Sequence, residues 1–337
     1  MPRTEGCTVA KVHQETAENI KLLANALQKG ELVAVPSETV YGLAANAFDE
    51  TACRKIFKIE GRPFNDPLIL HLDSLESLDL VAERNEAVER LAETFWPGPL
   101  TLILPKKKSV SDLVTSGLNS VAVRIPGHPV LRKLLRACQC PLAAPSANPF
   151  GYISPTTSAH VEKGLGDKIS YILEGGPCQI GIESTIVDLR DPASPSILRP
   201  GGISSETLSS VMGLSLAPSQ PAKETAAPVA PGLLSKHYSP KKQLLLRSTP
   251  FDKAELQKLQ KDDAALCFKR PNKALPLGGN IFWLSESGSA EKAAQNLFSI
   301  LRQLDEGPWG STTAELAPET GIGSALNDRL RRAAAKS

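Results

Sequence analysis

Cysteine is scarce in this chain of 337 residues: six thiols, Cys7, Cys53, Cys138, Cys140, Cys178 and Cys267, lie scattered along it. That spacing excludes the dense disulfide framework of a small secreted scaffold and predicts reduced thiols. Cys138 and Cys140 form a lone Cys-x-Cys with no second pair and no His-x-x-x-His, so the ligand set of a structural zinc is missing. Long apolar runs are missing as well. The run "LTLILP" (100–105) covers six residues, whereas a membrane helix needs about 20. The opening "MPRTEGCTVA" has neither an apolar signal core nor an Arg-rich, acid-poor presequence, so no membrane association and a cytoplasmic location are expected. An excess of one charge is absent too: 38 Lys and Arg face 36 Asp and Glu. Residues 1–205 carry 21 basic against 23 acidic side chains and residues 206–337 carry 17 against 13. Neither part has the clustered basic face of a stable nucleic-acid binder, and the short run Lys106–Lys108 reads as a solvated turn. No Gly-x-x-x-x-Gly-Lys-Ser/Thr occurs, which excludes an ordinary P-loop, and "APSAN" around Ser146 is not a Gly-x-Ser-x-Gly elbow.

What is present is an α/β pattern. In "TAENIKLLANALQKG", Thr16 is placed to cap a helix with Ile20, Leu23 and Leu27 on one face, and Gly30 to stop it. Short β-branched runs predict strands at 32–36, 67–72, 100–105, 120–126, 142–146, 170–175, 185–190 and 196–200, with helices at 50–58, 84–95, 128–138 and 157–164. Eight strands against so few helices predict a mixed sheet. The stretch "SLAPSQPAKETAAPVAPG" (215–232) reads as a Pro-rich linker. After it, strand and helix patterns alternate at 243–247, 252–260, 264–268, 280–284, 290–306, 312–317 and 324–336, as in a small Rossmann-like domain. "GIGS" (321–324) supplies two glycines of a dinucleotide fingerprint and lacks the third, so it reads as a helix start. The division expected is 1–205 for the main domain, 206–240 for a linker or lid, and 241–337 for the second domain.

Several segments at strand ends carry polar residues that strand packing does not require. They are "PSETVYGLAAN" (36–46), "KIEGRPFNDPLILHL" (58–72), "SVAVRIPGHP" with Arg124, "APSANPFGYISPT" with Ser146 and Ser154, "GIESTIVD" with Ser184, and "ILRPGG" with Arg199. In an open α/β sheet, ligands sit where such loops converge. Arg62, Arg124 and Arg199 would give one cleft three permanent cations with bidentate donors, suited to phosphates and a carboxylate. Singly, each has a plainer reading: an arginine near a strand is commonly an ion-pair partner, and His71, alternating with Ile69, is commonly a satisfied half-buried histidine.

The ordered motifs "VPSETVYGLAANA", "KIEGRPFNDPLILHL", "VAVRIPGHP", "APSANPFGYISPTT", "GIESTIVDL" and "ILRPGGI" resemble the YrdC/Sua5 family of L-threonylcarbamoyladenylate synthases. "PGLLSKHYSPK" (231–241) and "GIGSALNDRLRRAA" (321–334) extend the resemblance to the long Sua5 form, over nearly the whole chain. The resemblance implies a YrdC-like twisted mixed sheet with a concave cleft, plus the smaller C-terminal α/β domain. It implies a nucleotidyltransferase that condenses ATP, L-threonine and bicarbonate to threonylcarbamoyl-AMP and pyrophosphate, for the t6A37 modification of tRNAs reading ANN codons. A separate transferase would receive the product, so stable tRNA binding is not expected. Carried over motif by motif, Thr39, His71, Arg124 and Ser184, with the Ala144 segment, would bind threonine. Arg62, Asp66, Ser120, Ser146, Ser154, Arg199 and Tyr238 would bind ATP. Mg²⁺ would arrive on the ATP phosphates, with no protein metal site, and the linker carrying "KHYSP" would close over the cleft.

One residue departs from the pattern. The family commonly has lysine two positions before the arginine of this turn, and here that position is Glu60. The expectation drawn is that Lys58 takes over, helping Arg62 position phosphates. Two other functions compete: a carbamoyltransferase of the hydrogenase-maturation type, which should bring acylphosphatase and Cys-rich segments not seen here, and a non-catalytic RNA-binding module, which should bring a basic-aromatic platform.

Overall fold

The computed structural model describes residues 9–216, 228–233, 237–272 and 278–335. Two parts of the expected linker, 217–227 and 234–236, therefore lie outside the described residues. The strands are β1 (Lys11–His13), β2 (Val33–Val35), β3 (Gly42–Asn46), β4 (Ile69–His71), β5 (Leu100–Pro105), β6 (Ser120–Arg124), β7 (Leu142–Ala143), β8 (Tyr171–Leu173), β9 (Thr185–Asp188), β10 (Ser196–Arg199), β11 (Gln243–Arg247), β12 (Asp263–Lys269), β13 (Ile281–Ser285) and β14 (Ser311–Glu315). The α-helices are α1 (Ala17–Gln28), α2 (Glu50–Glu60), α3 (Glu86–Phe95), α4 (Asp112–Thr115), α5 (Pro129–Cys138), α6 (Ser158–Leu165), α7 (Ser205–Met212), α8 (Lys253–Gln257), α9 (Ala290–Glu306) and α10 (Gly323–Ala334).

Ten strands form one mixed sheet in the order β1-β8-β2-β3-β7-β4-β6-β5-β9-β10. Its pairs β2–β3, β3–β7, β4–β7, β5–β6 and β9–β10 are antiparallel and the remainder parallel. The mixed sheet expected from the strand-to-helix ratio is therefore observed. The second sheet, β11-β14-β12-β13, is wholly parallel, with α8 crossing between β11 and β12 and α9 between β13 and β14. Among the described residues no helix is long and apolar enough to cross a membrane.

Local chemistry sets the helix limits. Thr16 caps α1 by accepting the Asn19 N–H at 3.1 Å, while Leu23 and Leu27 turn into the core. Asp49 caps α2, and Gly61 ends it in the left-handed region at φ 67°. The segment expected to begin the linker instead begins with α7: Ser204 accepts the Thr207 N–H, Leu208 and Met212 bury one face, and Gly213 stops the helix at φ 68°. Proline content dominated that reading, yet the prolines start only at 218.

The two sheets share apolar packing. Leu266, Leu284, Leu297, Phe298, Leu301, Leu326 and Leu330 fill the second lobe, and the same cluster takes in Val40, Ile153 and Ile182 from the first. The contact extends to polar groups, where Tyr152 donates its hydroxyl to Asp305 Oδ2 at 2.7 Å.

Candidate active site

The site is laid out by one pair of parallel strands. β4 and β6 run in register with Ile69 opposite Ala122 and His71 opposite Arg124. Alternation along a strand sends Ser120, Ala122 and Arg124 to a common face, beside Ile69 and His71. Ala230 and Leu233 pack over Ile69 and Ala122, so residues just before the "KHYSP" segment roof this face. Beneath the roof is a cavity whose walls include Thr39, Arg62, His71, Arg124, Ala144, Ser146, Glu183, Ser184, Arg199, Gly232, His237 and Tyr238.

At one end Arg124 is held on three sides. Its Nε donates to Gly98 O at 3.1 Å, its Nη1 to Thr39 Oγ1 at 2.9 Å, and its Nη2 pairs with Glu38 Oε1 at 2.6 Å. Burial pushes the Glu38 carboxyl up, but Arg124 and the Gly127 N–H outweigh it and hold it below the usual carboxylate value. Burial, reinforced by the Arg124 charge, pushes His71 down to about 3, so the imidazole is neutral at pH 7, with no hydrogen-bond partner on Nδ1 among the described residues. The Ala144 N–H donates to Ile69 O at 3.0 Å, placing the Ala144 segment across the same wall.

The other end is organised by two further arginines. Arg62 donates through Nε to Glu60 Oε2 at 3.1 Å and pairs through Nη1 with Asp66. Arg199 donates from Nε to Ser184 O at 3.2 Å, from Nη2 to Ser184 O and Oγ, and from Nη1 to Pro231 O at 2.9 Å. Ser184 Oγ is pinned in turn by Thr101 Oγ1 at 2.7 Å. Only 3% of Arg199 is exposed, and among the described residues it meets only carbonyl and hydroxyl oxygens. Burial lowers its pKa from the ordinary arginine value. A buried cation without a carboxylate is poorly compensated, and an anionic ligand relieves that cost. Tyr238, in the left-handed region at φ 61°, is buried, and its hydroxyl has no hydrogen-bond partner among the described residues.

Most residues selected from the sequence meet here, with differences that have physical reasons. Asp66, Ser120 and Ser154 are buried beside the cavity and do not line it: Asp66 is turned to Arg62, and Ser154 Oγ donates to Glu183 Oε1 at 2.6 Å. Lys58 is exposed on the last turn of α2 and does not line the cavity, while Glu60 is buried. At 100° per residue, positions two apart on a helix point roughly 200° apart, so the two side chains leave α2 in different directions. Glu38, Glu183, His237 and Arg329 were not selected. Glu38 and Glu183 stand in motifs already singled out, and their adjacency to Thr39 and Ser184 was the available signal. Arg329 gave none, because its partners Glu183 and Pro200 lie over a hundred residues away.

A family described as "Telomere recombination", comprising Sua5, YciO and YrdC, matches residues 25–201, and the threonylcarbamoyl-AMP synthase C-terminal domain family matches 203–335. The chain belongs to the Sua5/YrdC family. Among curated relatives, the threonylcarbamoyl-AMP synthase of Pyrococcus abyssi is 41% identical over 323 residues, 93% of each chain. That of Bacillus subtilis is 36% identical over 96% of each. The crystal structure of P. abyssi Sua5 complexed with L-threonine superimposes with a TM-score of 0.88 at 37% identity, covering 97% of this chain and 98% of that one. Escherichia coli YciO, at 21% identity and a TM-score of 0.52, covers 57% of this chain and 96% of its own and shares the fold of the larger lobe.

Proposed function

We propose that this Sua5-family chain is a threonylcarbamoyl-AMP synthase, a nucleotidyltransferase that joins L-threonine, bicarbonate and ATP with release of pyrophosphate. The observation that carries the reading is the buried convergence of Arg62, Arg124 and Arg199 on one cavity, with Arg199 paired to no carboxylate among the described residues. L-Threonine bound to P. abyssi Sua5 supports the amino-acid half of the assignment. Thr39, neutral His71, Arg124, the Ala144 segment and Ser184 take threonine; Arg62, Asp66, Ser120, Ser146, Ser154, Arg199 and Tyr238 serve the nucleotide.

The reaction asks for placement more than covalent help. Threonine's amine and bicarbonate condense to a carbamate with loss of water, and a carbamate oxygen attacks the α-phosphorus as pyrophosphate departs. Two anions must therefore meet, and the fixed guanidiniums of Arg62 and Arg199 reduce their repulsion without reorganising. A neutral His71 can accept a hydrogen bond from the ammonium of threonine or donate one to an oxygen. Lys58, being outside the cavity, takes no part. Mg²⁺ carried on the ATP phosphates would supply charge neutralisation there. The roof of residues 228–233 and His237–Tyr238 limits water, which matters because carbamate and mixed anhydride both hydrolyse. The product would pass to a separate t6A transferase, and the near-balanced charge argues against a stable grip on tRNA.

Pyrophosphate release is the test, measured from ATP with threonine and bicarbonate omitted in turn. Release should require both, and release that continues without threonine overturns the reading.

A further inference from the structure

α10 belongs to the second lobe, yet its central arginine reaches the wall of the cavity. Arg329 is fully buried, and its Nε donates to Glu183 Oε2 at 2.7 Å while its Nη2 donates to Pro200 O at 2.9 Å. Its Nη1 donates to Asp328 Oδ2 at 2.6 Å, and its guanidinium carbon stands 5.2 Å from the centroid of the Tyr238 ring. Each partner is adjacent to a nucleotide-side group. Glu183 lines the cavity and holds Ser154 Oγ with its other oxygen, Pro200 follows Arg199, and Tyr238 forms part of the roof.

Lobe docking alone does not need this arrangement. Phe298, Leu301, Leu326 and Leu330 already share an apolar cluster with Val40, Ile153 and Ile182, and an ion pair taken out of water adds little net stability to such a contact. What a fork of directional donors adds is fixed geometry. Arg329 binds three separate segments of the wall, around 183, 200 and 238, to one rigid helix, and those segments otherwise come from loops.

We propose that Arg329 is a positioning residue for the nucleotide half of the site, acting from the second lobe through Glu183, Pro200 and Tyr238 without touching substrate. The proposal rests on the reading of the cavity as an ATP and threonine site. It gives the second lobe a role in catalysis: ATP is handled well only when α10 is docked. Threonine is handled by Thr39, His71 and Arg124 in the first lobe, with Ser184 pinned by Thr101, and should be nearly indifferent.

The test compares the full chain with Arg329→Met and Arg329→Lys, measuring ATP and L-threonine binding by calorimetry and pyrophosphate release under steady state. Arg329→Met should raise the Kd and KM for ATP by about tenfold or more while the threonine Kd stays within about twofold. Arg329→Lys keeps the charge opposite Glu183 and loses the fork, so its ATP constants should fall between. Wild-type ATP constants in both variants, or parallel loss of ATP and threonine binding, overturn the proposal. If Arg329→Met does not fold, Arg329→Lys decides by the same criterion. Failure of the parent reading looks different, since the unmodified chain itself would then bind no ATP or release pyrophosphate without threonine.

Discussion

Glu38 and Arg124 form a 2.6 Å ion pair inside the cleft, although only 6% and 3% of the two residues are exposed. Neither charge would be stable there alone. Replacing Arg124 by Met should therefore cost about 3–5 kcal/mol of folding stability, since Glu38 is left as an unpaired buried charge. Adding Glu38→Gln should return part of that loss. Threonine-dependent pyrophosphate release should stay absent in the double variant, because the Thr39 contact and the cation are both gone. Urea unfolding of the four members of the cycle, with activity alongside, separates the structural from the functional share; additive stability losses would contradict the pairing.

Glu60 makes a pH prediction. Burial, against the pull of Arg62, pushes its carboxyl up to about 8 from an ordinary 4.5. Over that interval the folded chain keeps a proton that the unfolded chain releases. The stabilisation is thus complete below about 4.5 and is lost as pH rises through about 8, with a slope of at most about 1.4 kcal/mol per pH unit. Glu60→Gln should flatten this slope and be the more stable chain at alkaline pH. Denaturant midpoints of the ligand-free proteins across the neutral range check it, and parallel curves for the two chains would refute it.

Lys58 and Arg62 should separate cleanly although four residues apart. Lys58→Ala removes an exposed side chain outside the cavity and should leave kcat and the KM for ATP within about twofold of the parent. Arg62→Lys keeps the charge but cannot serve Glu60 and Asp66 together, so its kcat/KM for ATP should fall by about tenfold to a hundredfold. A defect in Lys58→Ala comparable to that in Arg62→Lys would restore the lysine to the phosphate site.

The strand patterns were legible because burial imposes them. "LTLILP" and "SVAVR" bury nearly every residue, and both became strands at the places their composition indicated. The helix over 290–306 was equally clear from its apolar spacing. β3 was missed: Gly42–Asn46 is held by β2 and β7 on either side, and glycine and alanine give little strand signal without those neighbours. At the site, the motifs that carry the family resemblance contain Thr39, His71, Arg124, Ser184 and Arg199, and the fold brings these five to one cavity. Side-chain direction at helix ends was not legible, which is why Lys58 was preferred to Glu60. Long-range partners were not legible either, and Arg329 is the clearest instance.

Gly232 offers the sharpest test of the roof. Its φ of 76° lies in the left-handed region, and a Cβ there would stand 2.5 Å from the Tyr238 hydroxyl and 2.9 Å from Arg199 Nη1. Gly232→Ala therefore brings backbone strain of about 1 kcal/mol and, in addition, displaces two nucleotide-side groups. Gly213 is a matched control, with φ 68° and open space where its Cβ would be. Both alanine variants should lose stability in thermal unfolding, Gly232→Ala the more because of its two close contacts. Only Gly232→Ala should raise the KM for ATP, by about tenfold, with threonine affinity little changed. Equal kinetics in the two variants would mean that the roof adapts to a methyl group and that Tyr238 and Arg199 do not need the spacing seen here.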